Sequence, residues 1–293
     1  SSDLTRLRNL FKKGAFNKAY KTIKELHQRK FDMLINLEHV SSWTGAFKMA
    51  ILFRLIGAKY RVGRDTDRRG FFLNFKIKEN SKEPKHAVEI NLDVARALGA
   101  QIEDIKLEVP VFGEDRKFVS DFFDQHSVSD KDTLVGLNPG AFRPSRQWFK
   151  ERWAQLADWL IEERGYKVII TGGENEREMI NGIVNLMEKK SAITATSRTL
   201  KQLAALLERL NLFITNDTGP MHIAAAMQAP LIALFGPGDI HKFSPYCSGD
   251  KCIILRKDVE CTRPCYKFKC NDRKCMELIT VDDVMQVVRG VLT

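Results

Sequence analysis

The second half of the chain alternates buried strands with amphipathic helices, and this alternation restricts the possible folds more than any other feature of the sequence. From about residue 132 onward the alternation occurs five times, with short connections that end in Gly, Asn or Thr. It predicts an α/β domain built on a doubly wound, parallel sheet, whose ligands bind at the carboxyl ends of the strands. The turns expected there are 138–146 (NPGAFRPSR), 171–176 (TGGENE) and 215–220 (TNDTGP).

The stretch 216–239 (NDTGPMHIAAAMQAPLIALFGPGD) is the most informative of these units, because a Gly-Pro pair separates a strand from a helix of small residues. Pro220 suits the first helical turn, where its missing N–H loses no hydrogen bond. Thr218 or Gly219 can cap the same helix. A turn of this kind directs backbone N–H groups and the positive end of a helix dipole at one point. We therefore expect a phosphate to bind there.

The length and the net charge of the chain limit the number of domains and the kinds of partner that we expect. The 293 residues, of which 44% are hydrophobic and 29% charged, suffice for two folded domains, with a boundary expected in the polar stretch 124–133. The net charge of +10 favours anionic partners, although a lysine-rich solvated surface accounts for part of it. No nucleic-acid-binding signature stands out, so no nucleic acid partner is expected. No transmembrane-length run or signal peptide is found, and the expected location is cytoplasmic.

Taken together, the turns resemble those of glycosyltransferase family 9, whose best-known members are the ADP-heptose–lipopolysaccharide heptosyltransferases. The resemblance implies a GT-B fold: two Rossmann-like, doubly wound α/β domains facing a cleft, the second of which holds a nucleotide-sugar donor. It also implies an inverting transfer that requires no metal or other cofactor. The matching segments are RKFDMLINLE (29–38), KHAVEINLDVARALG (85–99), LNPGAFRPSRQWFKERWAQLADWL (137–160), IITGGENERE (169–178) and FITNDTGPMHIAAAMQAPLIALFGPGDIHKFSPY (213–246).

The resemblance places the diphosphate of the donor at two of these turns. Arg146 stands where the family usually carries a lysine; it can bind a phosphate bidentately but is not an equivalent point charge. Backbone N–H groups at Thr218 and Gly219, with His222 one turn further on, are the other expected donor-binding groups. Considered alone, Arg146 also fits a surface charge, and His222 fits a helix histidine with a local hydrogen bond.

The nucleoside is expected to lie at the neighbouring turns. Glu174 matches the acidic position that contacts the ribose hydroxyls in the family, and residues 197–199 are expected to border the nucleobase. Asp217 belongs to the donor-binding set but is expected to shape its turn, since two anions would repel. Glu174 and Glu176 also suit the first turn of a helix, where acidic side chains interact favourably with the dipole.

The N-terminal part departs from the family pattern. Family members begin with a strand and a Gly-Asp turn whose aspartate acts as general base, and nothing like it precedes residue 31. Either the first strands of a domain spanning residues 1–130 are missing from this sequence, which we expect, or the base is truly absent; no base is assigned. The family's acceptor-side lysine falls at Ser42. Arginine side chains in this region are suited to bind an acidic sugar or a lipid phosphate, although exposed arginines without a ligand would fit the sequence equally well. The acceptor-binding candidates are Arg61, Arg64 and Arg68, with Arg69 beside them.

The six cysteines all lie in a loop of the second domain, 131–293, between residues 247 and 275 and before a final helix. Four thiols spaced this closely are suitable ligands for zinc or an iron–sulfur centre, but unligated thiols or disulfides are equally compatible with the spacing. Either way, we expect a structural role remote from sugar transfer. The four candidates for a structural metal are Cys261, Cys265, Cys270 and Cys275.

The sequence thus favours a cytoplasmic enzyme that transfers heptose from ADP-heptose to a lipopolysaccharide core acceptor, in peripheral contact with the inner membrane face. A transferase of the same family with another nucleotide sugar or another anionic glycan acceptor is the first alternative. A non-catalytic protein that binds a nucleotide sugar is the second. A nucleic-acid-binding protein with a metal knuckle at 261–275 would require a strongly salt-dependent affinity.

Overall fold

A computed structural model of the protein describes residues 15–79, 84–103, 105–196 and 198–292. The chain forms two compact units, Ser1–Glu103 and Asp104–Thr293. The division lies earlier than the sequence indicated, because a helix at Gly113–Gln125 belongs to the second unit. Its Val119, Phe122 and Phe123 are buried against the second sheet.

The first unit contains a parallel sheet of three strands in the order β1-β2-β3. The helix between the first two strands begins at the N-cap Ser42, whose side chain accepts a hydrogen bond from the Gly45 N–H, and ends at Gly57 with a φ of 84°. The third strand follows a segment that carries little hydrophobic pattern in the sequence. The elements are α1 (Ala15–Gln28), β1 (Met33–Asn36), α2 (Trp43–Ile56), β2 (Tyr60–Asp65), β3 (Phe75–Lys78) and α3 (Ala87–Ala97).

The second unit confirms the predicted alternation of strands and helices and adds α4 at its start. Residues 1–14 of the chain lie outside the described residues. The elements of the second unit are α4 (Gly113–Gln125), β4 (Leu134–Asn138), α5 (Lys150–Glu162), β5 (Lys167–Gly172), α6 (Arg177–Leu186), β6 (Ile193–Thr196), α7 (Leu200–Leu207), β7 (Leu212–Asn216), α8 (Gly219–Ala226), β8 (Leu231–Leu234), α9 (Ile240–Phe243), β9 (Cys252–Leu255), α10 (Lys274–Glu277) and α11 (Val281–Val291).

The strand order of the second sheet is β6-β5-β4-β7-β8-β9, and every neighbouring pair is parallel. From β4 the chain adds β5 and then β6 on one side. It then returns to the other side of β4, where it adds β7, β8 and β9 in order. The point where the direction reverses lies between the carboxyl ends of β4 and β7, and in open α/β sheets this is where ligands bind.

Helices cover both faces of this sheet, as a doubly wound fold requires. Successive strand residues point to opposite faces: Val168 and Ile170 pack in the core that contains α5, α6 and α11, whereas Ile169 packs in the core that contains α4, α7 and α8. The α/β, Rossmann-like prediction is therefore confirmed for this unit. Among the described helices, none has both the length and the apolar character needed to cross a membrane.

Candidate functional site

Buried polar side chains cross-link the carboxyl ends of three adjacent strands. Asn138, at the end of β4, donates from Nδ2 to Thr215 Oγ1 of β7 at 3.1 Å, and its Oδ1 accepts from Thr171 Oγ1 of β5 at 3.2 Å. A buried polar network in which the members satisfy one another makes local geometry rigid. The switch point is therefore held by side-chain hydrogen bonds in addition to the strand pairing.

Asn216, the last residue of β7, ties the loop after β4 to the same point. Its Nδ2 donates to the Pro139 carbonyl at 2.8 Å, and its Oδ1 accepts from the Trp148 N–H at 3.2 Å. Both ends of the loop that carries Arg146 are thus fixed to one side chain. Asn138 and Asn216 were not among the residues predicted to form the site. The available signal was an Asn ending each of two otherwise apolar strands.

Arg146 and Asp217 form an ion pair at the switch point, with 2.9 Å between Nη1 and Oδ2. The Asp217 side chain is 2% exposed and the Arg146 side chain 18%. Within the described residues, the buried Nε of Arg146 and the buried Oδ2 of Asp217 have no partner with hydrogen-bond geometry, so the contact between the two side chains is an ion pair defined by its distance. Because a guanidinium carries several donors in one plane, Arg146 can hold Asp217 and bind a second anion at the same time.

Asp217 is held in a closely packed turn. A Cβ on Gly238 would lie 2.2 Å from its Oδ2, so only glycine allows the 236–238 segment to approach this closely. Burial raises the pKa of Asp217, against the opposing effect of the Arg146 and Arg143 guanidinium groups. This placement agrees with a residue that shapes the turn and orients Arg146.

Helix α8 begins beside this ion pair. Thr218 is its N-cap without a side-chain capping hydrogen bond, and Pro220 occupies the first turn. A Cβ on the exposed Gly219 would have no neighbour within 4 Å, so the start of the helix faces open space. His222 lies in this first turn and is partly buried. The expected phosphate-binding groups of 215–222 and Arg146 therefore lie at the same end of the sheet.

The two glutamates after β5 occupy different environments. Glu174 is 65% exposed and pairs with Arg177 at 2.6 Å. Glu176 is partly buried, accepts from the Gly173 N–H at 2.9 Å, and lies so near the loop after β4 that a Cβ on Gly140 would be 2.0 Å from its Oε1. Glu176 therefore lies against the loop after β4, whereas Glu174, for which the ribose contact was predicted, is largely exposed.

The segment expected to border the nucleobase lies after β6. Ser197 is outside the described residues, and Thr199 caps α7 by accepting from the Gln202 N–H. The Arg198 guanidinium lies over the rings of Phe118 and Phe122 of α4, at 4.7 and 4.5 Å. Burial lowers the pKa of Arg198. The aromatic support from α4 holds this arginine near the end of β6.

The acceptor-side arginines of the first unit do not form one cluster. Arg61 and Arg64 are three residues apart on β2, which places their side chains on opposite faces of the sheet. Arg64 is buried, pairs with Glu79 at 3.4 Å and donates to the Leu37 carbonyl. Arg69 donates to the Val40 carbonyl at 2.6 Å. Arg68 is the candidate whose side chain is exposed; acceptor binding at these positions stays a prediction, without a shared cluster to support it.

The cysteines lie closer to the donor turns than the sequence led us to expect. Cys247 and Cys252 form a disulfide, whereas Cys261, Cys265, Cys270 and Cys275 are thiols that line one cavity of about 30 Å³. Ser145, Pro237 and Arg273 line the same cavity. Since Ser145 precedes Arg146, the cluster is not remote from the donor turns. In the part of the chain that the structure describes, no three His, Cys, Asp or Glu side chains are arranged to hold a metal ion.

Comparison with known proteins agrees with this architecture. The sequence model of glycosyltransferase family 9 (heptosyltransferase) matches residues 19–275. The lipopolysaccharide core heptosyltransferase OpsX of Haemophilus influenzae is 26% identical over 80% of this chain, which spans 65% of that protein. A family 9 glycosyl transferase from Veillonella parvula superposes with a TM-score of 0.77 at 27% identity, over 96% of this chain and 80% of its own. The heptosyltransferase WaaC of Escherichia coli with ADP shares the fold, with a TM-score of 0.69 at 17% identity over 98% and 82%.

The raised pKa of Asp217 predicts how stability depends on pH. Because the folded-state pKa lies above the unfolded value, the folded protein holds this proton more readily, and the free energy of unfolding falls as pH rises through that interval. An Asp217→Asn variant has no titrating group at this position, so its free energy of unfolding lacks this decrease. The difference in unfolding free energy, wild type minus variant, should therefore decrease as the pH rises above about 4 in urea titrations.

Asp132→Asn is the control, because the pKa of Asp132 is lowered, first by the Ser129 N–H that donates to its carboxylate. Its contribution to stability is present above the unfolded pKa and is lost as pH falls, so the corresponding difference should rise with pH. A rising difference for Asp217 as well would mean that the ion pair with Arg146 outweighs burial.

Proposed function

Because the chain belongs to glycosyltransferase family 9, we propose that it transfers heptose from ADP-heptose to a lipopolysaccharide core acceptor, with inversion at the sugar carbon and without a metal ion. The observation that carries the proposal is the Arg146–Asp217 ion pair beside the start of α8, at the switch point of the second sheet. The donor and acceptor rest on the similar proteins, of which one is a lipopolysaccharide core heptosyltransferase and another was solved with ADP.

The site is suited to stabilise a leaving nucleoside diphosphate. Negative charge on the departing oxygens increases in the transition state, and fixed donors aimed at that charge lower the barrier. Arg146 supplies a guanidinium that remains partly exposed although it pairs with Asp217. The N–H groups of Thr218 and Gly219 supply the positive end of α8, and His222 adds a donor one turn on. These groups together take the place of a divalent cation in the proposed mechanism.

The nucleoside part of the proposal follows from the loops after β5 and β6. We assign the ribose contact to Glu176, since its carboxylate lies at the carboxyl ends of β4 and β5 while Glu174 is largely exposed and pairs with Arg177. Arg198, supported by Phe118 and Phe122, is placed to border the base. The general base on the acceptor hydroxyl is not assigned to any residue.

The acceptor side of the proposal includes peripheral contact with the cytoplasmic membrane at its inner face. Helix α2 exposes an apolar stripe with a spacing of four residues: Trp43, Phe47, Ile51 and Leu55 are 55%, 58%, 61% and 47% exposed. The neighbouring Lys48 and Arg54 are exposed, and the net charge is +10. An apolar stripe flanked by basic side chains is the pattern of a helix that lies at an anionic lipid surface.

The donor proposal is tested by calorimetric titration of the protein with ADP, with and without EDTA. Removing a charged hydrogen-bonding partner by Arg146→Ala should weaken ADP binding by about 10- to 100-fold, and EDTA should change nothing. Arg209→Ala is the matched control, because Arg209 pairs with Asp130 and precedes β7, at the opposite end of the strands. Its affinity should equal that of the wild type.

Two results would contradict the donor proposal in different ways. Binding of UDP or GDP in place of ADP would retain the site and overturn the ADP-heptose assignment. Failure of the wild type to bind any nucleoside diphosphate would overturn the donor site itself. Binding without transfer, measured with ADP-heptose and a heptose-deficient lipopolysaccharide, would favour a non-catalytic binding protein.

The ribose assignment is tested by removing one charge at a time. Glu176→Gln should weaken ADP binding by about tenfold, whereas Glu174→Gln should leave it unchanged, since a hydrogen bond to a charged group contributes about 1.5–3 kcal/mol. The same titrations with 2′-deoxy-ADP and 3′-deoxy-ADP complete a double-mutant cycle. If both variants bind ADP as the wild type does, neither glutamate contacts the ribose.

The membrane contact is tested by co-sedimentation with vesicles of phosphatidylglycerol or of phosphatidylcholine. The protein should sediment with the anionic vesicles alone and should be released at about 0.5 M salt, where exposed charges are screened. Phe47→Ser together with Ile51→Ser should reduce the bound fraction with no change in net charge. Equal sedimentation of this variant and the wild type would show that α2 is not the contact.

A further inference from the structure

The loop between β9 and α10, residues 256–273, packs against the loop that carries Arg146; we call it the cysteine loop. Ser145 donates from Oγ to the Lys267 carbonyl at 2.8 Å and from its backbone N–H to the Phe268 carbonyl at 3.4 Å. Arg143 donates to the Tyr266 carbonyl at 2.9 Å. Residues on the N-terminal side of Arg146 are therefore held by backbone carbonyls of the cysteine loop.

Arg273, at the end of the cysteine loop, contacts both sides of Arg146. Its Nη1 donates to the Gln147 carbonyl at 3.2 Å and lies 3.5 Å from the Pro144 carbonyl. Its guanidinium lies over the Phe149 ring at 4.4 Å. One side chain thus joins the carbonyls that precede and follow Arg146, and the aromatic ring fixes its plane.

The cysteine loop also contacts the segment that packs on Asp217. The Cys265 N–H donates to the Pro237 carbonyl at 2.9 Å. The next residue, Gly238, is the one whose added Cβ would lie 2.2 Å from Asp217 Oδ2. Both partners of the Arg146–Asp217 pair are therefore held by segments that contact the cysteine loop.

The space between these segments is a small cavity and not a packed core. Its lining includes the four thiols together with Ser145, Pro237 and Arg273. Tightly packed apolar side chains would fix the position of the Arg146 loop through many contacts. Because a cavity lies beside the Arg146 loop, the loop makes fewer packing contacts there. The hydrogen bonds of Arg273 and Ser145 therefore contribute more to fixing its position.

We propose that Arg273 is a positioning residue for the donor-diphosphate site, through which the cysteine loop fixes Arg146 and so sets the affinity for the diphosphate. The inference rests on the proposed function, because it assumes that Arg146 binds the diphosphate. Arg273 itself need not touch the donor. Its loss allows the 144–147 turn to shift, and displacing a binding group by about 1 Å can reduce activity by about 100-fold.

The test compares two arginines that stack on the same ring. Arg152 lies over Phe149 at 5.0 Å and donates to the carbonyls of Glu277 and Ile279, which lie outside the Arg146 loop. Arg273→Met and Arg152→Met therefore each remove a cation over Phe149 and its hydrogen bonds to carbonyls. Only the first variant removes contacts to residues 144 and 147.

ADP affinity is measured by calorimetry and the midpoint of thermal unfolding by calorimetric scanning, with Arg273→Lys and Ser145→Ala as further variants. Arg273→Met should weaken ADP binding by about tenfold or more, and Arg273→Lys should recover part of the loss. Ser145→Ala should give a smaller loss in the same direction. Arg152→Met should lower the unfolding midpoint while keeping the wild-type affinity.

The outcomes separate this inference from the donor proposal. If the wild type does not bind ADP, the proposed function fails first. If the wild type binds and folded Arg273→Met binds equally well, the positioning role alone is wrong. A loss of affinity in Arg152→Met equal to that in Arg273→Met would likewise overturn the inference, because general destabilisation would then explain both.

Discussion

The ion pair between Arg146 and Asp217 is the interaction on which the candidate site depends. Its carboxylate is 2% exposed, so the pair is formed where water does not screen it. Separating such a pair is unfavourable, because either partner alone would leave an uncompensated charge in a desolvated position. The turn that contains Asp217 therefore determines the position of Arg146. Strand β7 and helix α8, which flank this turn, determine its conformation.

The surrounding structure keeps the two charges in register. Asn216 bonds to both ends of the Arg146 loop, and the Gly238 segment approaches Asp217 as closely as a missing Cβ allows. Asn138 links the end of β4 to that of β7. The strand order brings these residues together, since β4 and β7 are neighbours although helices and two other strands separate them along the chain. The chemistry of the site is thus a consequence of the reversal in winding.

Much of the second unit could be predicted from the sequence because its strands are buried on both faces and its helices are amphipathic. Both signals are local and strong. Strand β3 (FKIK) was missed because an exposed edge strand with two lysines carries little apolar pattern. Helix α4 was missed as part of the second unit because its membership depends on the packing of Phe122 and Phe123, which no local pattern reveals.

The site was predictable where neighbours in sequence are neighbours in space, and less so elsewhere. The turn at 215–222 was read correctly as a strand, a cap and a helix start. The prediction of a ribose contact at Glu174 is not tested, and spacing alone does not show that Glu176, in the same helical turn, is the glutamate that lies against the loop after β4. Strand periodicity, by contrast, was sufficient to show that Arg61 and Arg64 point to opposite faces. Arg273 and Gln147 are 126 residues apart along the chain, and no local sequence pattern predicts their contact.

The arginine at position 146 is compatible with the buried aspartate in a way that a lysine is not. An ammonium group is a compact point charge, so its position between a carboxylate and a phosphate is a compromise between the two anions. A guanidinium presents separate donors along one plane, and here Nη1 lies 2.9 Å from Asp217 Oδ2 while the side chain keeps 18% of its surface exposed. Asp217 can therefore orient the Arg146 side chain without occupying all of its donors.

The raised pKa of Asp217 agrees with a single contact between the two side chains, because one contact to Arg146 does not offset the burial of the carboxylate. The Arg146 side chain is 18% exposed and the Asp217 side chain 2%, so a second anion can approach the guanidinium but not the carboxylate, and this supports the proposed binding site.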